Sequence, residues 1–215
     1  MPHTTDTLEN LSVSHGAHAA AAERHIFGFW VYLMTDLLMF AAMFATFIVL
    51  RGNTFGGPSG GEIISLPFVY VETILLLTSS FTMGLAMVAA HKAKRLDAGV
   101  SKSPNAAPTL FALAASFILG ASFVGMELYE FGHLIAEGHT PATSAFLSAF
   151  FSLVGMHGLH IMAGLLWTII MIIFIARRGI TPRNLERLTL LSLFWHFLDL
   201  VWIFIFTIVY LMGII

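Results

Sequence analysis

Two imidazoles stand three residues apart in Gly155-Met-His-Gly-Leu-His160, and a third stands three residues before a carboxylate in Trp195-His-Phe-Leu-Asp199. Residues at i and i+3 share one face of a helix. His157, His160, His196 and Asp199 therefore make a donor set of the kind that holds zinc, copper or non-haem iron. The same side chains on adjacent helices also suit plain interhelical hydrogen bonding, and spacing alone leaves both readings open. Glu127-Leu-Tyr-Glu130 sets two carboxyls one turn apart. Such a pair can relay a proton, or it can be hydrated at an interface or pair with His133, His157 or His160. Asp36 and Glu72 are lone acids within apolar runs. No Lys or Arg lies inside any of those runs, so the partner of Asp36 must be a histidine, a hydroxyl, a lipid group, water or another subunit. Asp36 and Glu72 are thus candidates for lipid contact or proton handling, or else for hydrogen-bonded packing, and Glu72, near the start of its run, suits a hydrated interface as well.

The elements that must position these groups are long and apolar. Runs at about 26–50, 66–90, 108–131, 146–175 and 188–212 each supply the roughly 20 apolar residues that cross a bilayer core as a helix. Hydrocarbon offers a backbone no hydrogen-bond partners, so segments of this length must be helical. At 215 residues, 58% hydrophobic and 10% charged, with mean hydropathy +0.87, the chain is expected to be an all-α polytopic membrane protein, a five-transmembrane-helix bundle. Residues 26–215 form that membrane domain, and residues 1–25 read as a polar, mobile tail in which His3, His15 and His18 are solvated. The tail lacks the basic and apolar regions of a signal peptide. The absence of cysteine excludes disulfides, thiolate metal sites and cysteine nucleophiles. There is no phosphate-cradling glycine loop and no basic, aromatic-interleaved stretch suited to nucleic acid. No internal repeat is visible, which argues against an inverted-repeat transporter.

Charge sets the expected orientation. Arg24 precedes the first run, Lys92, Lys94, Arg95 and Lys102 separate the second and third, and Arg177, Arg178, Arg183 and Arg187 separate the fourth and fifth. Arg51 alone lies on the other side. The positive-inside rule then predicts a cytoplasmic N-terminus and a periplasmic C-terminus. Breakers agree with five spans: the glycine-rich turn from Gly52 to Pro58, Pro67 near a helix start, Ser103-Pro104 with Pro108, Thr140-Pro141 and Thr181-Pro182. Gly120, Gly125, Ser148, Ser152, Gly155, Gly158 and Gly164 are small residues that let helices approach closely. Trp30 and Tyr32 read as interfacial anchors.

Taken together, the polar motifs resemble those of subunit III of the haem–copper respiratory oxidases, in particular its ubiquinol-oxidase branch of the cytochrome bo type. The resemblance rests on Ile26-Phe-Gly-Phe-Trp-Val-Tyr-Leu-Met-Thr-Asp36, Leu66-Pro-Phe-Val-Tyr-Val-Glu-Thr73, Gly125-Met-Glu-Leu-Tyr-Glu-Phe131, Phe146-Leu-Ser-Ala-Phe-Phe151, Gly155-Met-His-Gly-Leu-His160 and Phe194-Trp-His-Phe-Leu-Asp-Leu-Val-Trp202. Each is short, but the ordered set touches all five runs. Five helices also match the quinol-oxidase version, since the mitochondrial type has two more at its N-terminus.

The resemblance implies a non-catalytic subunit of a proton-pumping terminal oxidase in a bacterial inner membrane. It implies that haem and copper reside in subunit I, with no cofactor, metal or catalytic residue in this chain. Glu127, Glu130, His157, His160, His196 and Asp199 then become a structural polar network. Asp36 falls where cytochrome c oxidases carry a carbodiimide-reactive glutamate, and Asp36 and Glu72 lie near the expected phospholipid cleft. Subunit I would be the main partner, with subunits II and IV and membrane phospholipids as further ones, and nucleic acid excluded. The implied roles are assembly, durability during turnover and support of proton uptake. A subunit III of a cytochrome c or menaquinol oxidase is the alternative within the family. Outside it stand a di-histidine membrane metalloprotein and a proton-coupled transporter.

Overall fold

A computed structural model describes residues 3–56, 60–63, 65–96 and 106–213. The side chains of His3, His15 and His18, the Gly57-Pro58 end of the first turn, Lys102 and the Ser103-Pro104 breaker lie outside the described residues. The elements, in order, are α1 (His3–Leu50), a single turn α2 (Gly60–Ile63), α3 (Leu66–Leu96), α4 (Ala107–Ala136), α5 (Ala145–Arg178), α6 (Pro182–Ile205) and a π-helical turn (Phe206–Leu211). Among the described residues there is no strand, and five helices are long and apolar enough to cross a membrane: Arg24–Leu50, Leu66–Leu96, Ala107–Ala136, Ala145–Arg178 and Pro182–Leu211.

The helices outrun the apolar stretches that announce them. Lys94 and Arg95 form the last turn of α3, and Arg177 and Arg178 that of α5. Straight-chain cations are good helix formers and complement the negative end of the helix dipole, so these charges extend a helix where hydropathy alone would end it. Their counterparts at the helix starts are side-chain caps. Ser144 Oγ accepts the Leu147 N–H at 3.1 Å and Thr181 Oγ1 accepts that of Asn184 at 3.2 Å, with Pro182 in the first turn of α6, where no amide hydrogen is needed. At 34 residues α5 is about 51 Å long, well beyond the ~30 Å hydrocarbon core.

The chain divides into two compact units, Met1–Leu38 and Met39–Ile215, with the boundary inside α1. In the first, Leu33 and Asp36 are buried while Phe27, Trp30, Val31, Tyr32, Met34 and Leu38 are exposed. In the second, α3 packs on α4 and α6, α4 on α5, and α5 on α6, closing a four-helix ring. The remainder of α1 contributes Phe40 and Phe47, both fully buried. Phe47 meets the Phe146 ring at 6.0 Å, and Phe44 meets Phe204 at 6.2 Å. The last span is not one regular helix. The wider π turn brings Tyr210 onto the stripe of Trp202, their rings 6.0 Å apart.

Candidate functional site

Three helices meet along a seam of hydroxyls and indoles. Ser79 of α3 and Ser116 of α4 each donate to the other's backbone carbonyl, at 2.9 and 3.0 Å. Trp195 of α6 donates its indole N–H to Ser79 Oγ at 3.0 Å, and one stretch along the antiparallel α3/α6 contact Trp202 donates to Thr73 Oγ1 at 3.1 Å. Trp195 is only 1% exposed because glycines make room for it. A methyl group on Gly120 or Gly164 would sit 2.9 or 2.7 Å from its six-membered ring. These glycines admit a side chain rather than a neighbouring backbone.

The six residues expected to form a polar network are divided by the structure into separate arrangements. Ser80 Oγ lies 2.7 Å from His196 Nδ1 and also hydrogen-bonds the Asp199 carboxyl. A hydroxyl has one proton to give. With that proton on the Asp199 side, Nδ1 of His196 is the donor, which selects its tautomer. Glu130 accepts from the Tyr210 hydroxyl at 3.2 Å. His160 Nδ1 is 2.8 Å from the Met156 carbonyl one turn back, so it is a donor there. His157 is fully buried and finds no hydrogen-bond partner among the described residues for either ring nitrogen. Aromatic rings enclose it: Trp202 stacked at 5.3 Å, Phe40 and Phe123 edge-on at 6.4 and 6.1 Å.

Glu127 is 3% exposed and lies against the α5 backbone at Gly158, where a methyl group would come within 2.6 Å of both carboxyl oxygens. Glu72 of α3 is wholly buried. Neither has a hydrogen-bond partner for its carboxyl oxygens among the described residues. Both lie within electrostatic range of Glu130. In the first unit, Asp36 is buried and receives a hydrogen bond from the Tyr32 hydroxyl one helical turn earlier. Of the partners open to Asp36 from sequence, a hydroxyl supplies one.

Sequence reasoning passed over Thr73, Ser79, Ser80, Ser116 and Tyr210. A signal existed: Trp195 and Trp202 are seven residues apart, as are Thr73 and Ser80, a spacing that keeps residues on one helix stripe. Among the described residues no group of three or more His, Asp or Glu side chains could hold a metal ion. His157 and His160 point into aromatic packing and toward their own helix backbone, and His196 is engaged with Ser80.

Residues 5–214 match the family described as cytochrome c oxidase subunit III. The chain is 56% identical over 188 residues to cytochrome bo(3) ubiquinol oxidase subunit 3 of Pseudomonas aeruginosa, covering 87% of this chain and 85% of that one. It is 54% identical to the protein of the same name in Pseudomonas putida, over 88% of this chain and 86% of that one. Cytochrome c oxidase subunit 3 of Bacillus sp. (strain PS3) is 43% identical, over 86% of this chain and 84% of its own length. A multi-pass bundle tied by serine and tryptophan hydrogen bonds and matched along nearly its whole length places this chain in the cytochrome c oxidase subunit III family, among the third subunits of the haem–copper oxidases.

Proposed function

We propose that this chain is the third subunit of a ubiquinol oxidase in a bacterial inner membrane, with its N-terminus cytoplasmic and its C-terminus periplasmic. The identity of 56% to a ubiquinol oxidase subunit 3 carries this reading. In it, haem and copper belong to subunit I, where ubiquinol oxidation, oxygen reduction and proton pumping take place. This chain is a scaffold: it packs on subunit I within a complex that includes subunits II and IV, and supports assembly and sustained proton uptake. The polar groups of α3–α6 support that role, because hydroxyl, indole and imidazole side chains there fix helix against helix. The exposed apolar surface of α1 around Asp36 is the region we assign to bound phospholipid.

The test is purification of the tagged chain in mild detergent, with the reduced-minus-oxidised spectrum and co-purifying chains recorded together. A large haem-bearing partner that retains all the colour after this chain is dissociated is the expected result. Turnover with ubiquinol but not with cytochrome c assigns the electron donor, and the reverse pattern would make the complex a cytochrome c oxidase. Purification of the chain alone would refute the reading, pointing to a metalloprotein if coloured and a transporter if colourless.

A further inference from the structure

The carboxyls of Glu72, Glu127 and Glu130 are more than the seam needs. They gather where α3, α4, α5 and the π turn meet, toward the end of the bundle that carries the α4–α5 loop. Glu72 is 0% and Glu127 3% exposed, and all four of their carboxyl oxygens lack a hydrogen-bond partner among the described residues. The titratable groups within electrostatic range of them are Glu130 on α4 and Tyr210 on the π turn. No Lys or Arg lies within these segments of α3–α6, and Arg51 at the same face engages the Met212 carbonyl at 3.5 Å. A carboxyl closed away from both cations and donors has one small ligand that meets its need, the hydrogen ion. The acid so formed has an O–H to donate, which a bridging water can accept.

A route to water is built into α4. Glu127, Glu130, His133 and Glu137 follow one another at intervals of three, three and four residues, hence on one side of the helix. Exposure rises from 3% at Glu127 through half-buried Glu130 to 61% for the His133 side chain, and the Glu137 side chain beyond it is 49% exposed. His133 Nε2 and Glu137 Oε1 are 3.4 Å apart at the end of it. Each step along the axis is about 4.5–6 Å, which one water can bridge.

We propose that Glu72, Glu127 and Glu130 form a proton-binding cluster that exchanges with the aqueous phase through His133 and Glu137. The proton passes from a Glu127 O–H to the Glu130 carboxylate, next to the His133 imidazole and from there to bulk water. No electron changes hands. This goes beyond a scaffold role and does not depend on which electron donor the complex uses.

The test reads carbonyl vibrations rather than turnover. The chain, purified within whatever complex it forms, is compared by infrared difference spectroscopy with its Glu127→Gln and Glu72→Gln variants, in H2O and after transfer to D2O. A protonated-carboxyl band present in the wild type and missing from a variant is expected, and it should shift on deuteration. His133→Ala, at an exposed position, should keep that band and slow its deuterium shift several-fold, as should Glu130→Gln. Should one buried variant fail to assemble, the other buried variant and His133→Ala still read the cluster. Two outcomes overturn the proposal: no protonated-carboxyl band that either buried variant removes, or a deuterium shift equally fast in His133→Ala, Glu130→Gln and wild type.

Discussion

Replacing Gly164 by alanine should loosen the bundle although it adds a single methyl group. The added carbon would lie 2.7 Å from Trp195 Cζ3, 3.1 Å from its Cε3 and 3.2 Å from Phe194 Cε1. Ordinary contact begins at 3.4 Å, so the indole must retreat by about 0.7 Å. A ring has no flexible tip to swing aside. Its far side is bounded by Gly120, and its N–H is held at 3.0 Å by Ser79, which is itself bonded to the Ser116 carbonyl. Overpacking of this sort costs about 1–3 kcal/mol, and losing the indole hydrogen bond adds about 1 kcal/mol. Alanine returns about 1 kcal/mol through its higher helix propensity. The net is a destabilisation of about 1–3 kcal/mol. Gly125→Ala is the control, because a methyl group there meets nothing within 4 Å. It should keep the propensity gain and be neutral or stabilising by up to about 1 kcal/mol. Detergent-titration unfolding of the purified chain, followed by tryptophan fluorescence, separates the two. Equal midpoints for Gly164→Ala and Gly125→Ala would refute the view that Gly164 exists to admit Trp195.

Ser80→Ala removes the hydroxyl shared by His196 and Asp199. With both groups short of a partner, the same titration should show a loss of about 1–3 kcal/mol; an unchanged midpoint would mean that neither depends on the serine. His196→Leu should weaken association of this chain with its complex while leaving the haem spectrum unaltered, whereas loss of a haem band from the assembled complex would revive a ligand role for the imidazole. Asp36→Asn should leave initial oxidase turnover intact and shorten the time over which activity persists. Abolition of initial turnover in an intact complex would contradict that expectation.

The five spans were legible because a bilayer makes two demands at once, a length of about 20 apolar residues and a helical backbone. Breakers such as Pro67, Pro108 and Thr181-Pro182 then located the starts of α3, α4 and α6. Helix ends were less legible, since Lys94, Arg95, Arg177 and Arg178 lower hydropathy without interrupting a helix. The π turn at Phe206–Leu211 left no mark at all. Phe206, Thr207, Ile208, Val209, Tyr210 and Leu211 are ordinary residues for a span, and the change in hydrogen bonding is visible only through the contacts it creates, Tyr210 with Glu130 and Trp202.

The site shows a different kind of illegibility. Charged and imidazole groups stand out in an apolar sequence, yet apart from His196 the residues that bond α3 to α4 and α6 are serines, a threonine and tryptophans. In water such hydroxyls would be satisfied by solvent and would say little about packing. Inside a bilayer each must find its partner on the same or a neighbouring helix. Thr168 and Thr207 show the first solution, donating to carbonyls four residues back on their own helix at 2.8 Å. Ser79, Ser80 and Ser116 show the second. What separates the two groups is what stands opposite. Ser79 is met by the indole N–H of Trp195, which donates to its hydroxyl oxygen at 3.0 Å. A tryptophan forced into the bundle by the glycines at 120 and 164 thus converts a serine that could have turned inward into an interhelical tie. Glu72 and Glu127, like His157, find no hydrogen-bond partner among the described residues. Only the two carboxyls lie in range of a third acid, Glu130, in line with the exposed end of α4, which is why they are where chemistry beyond packing is to be sought.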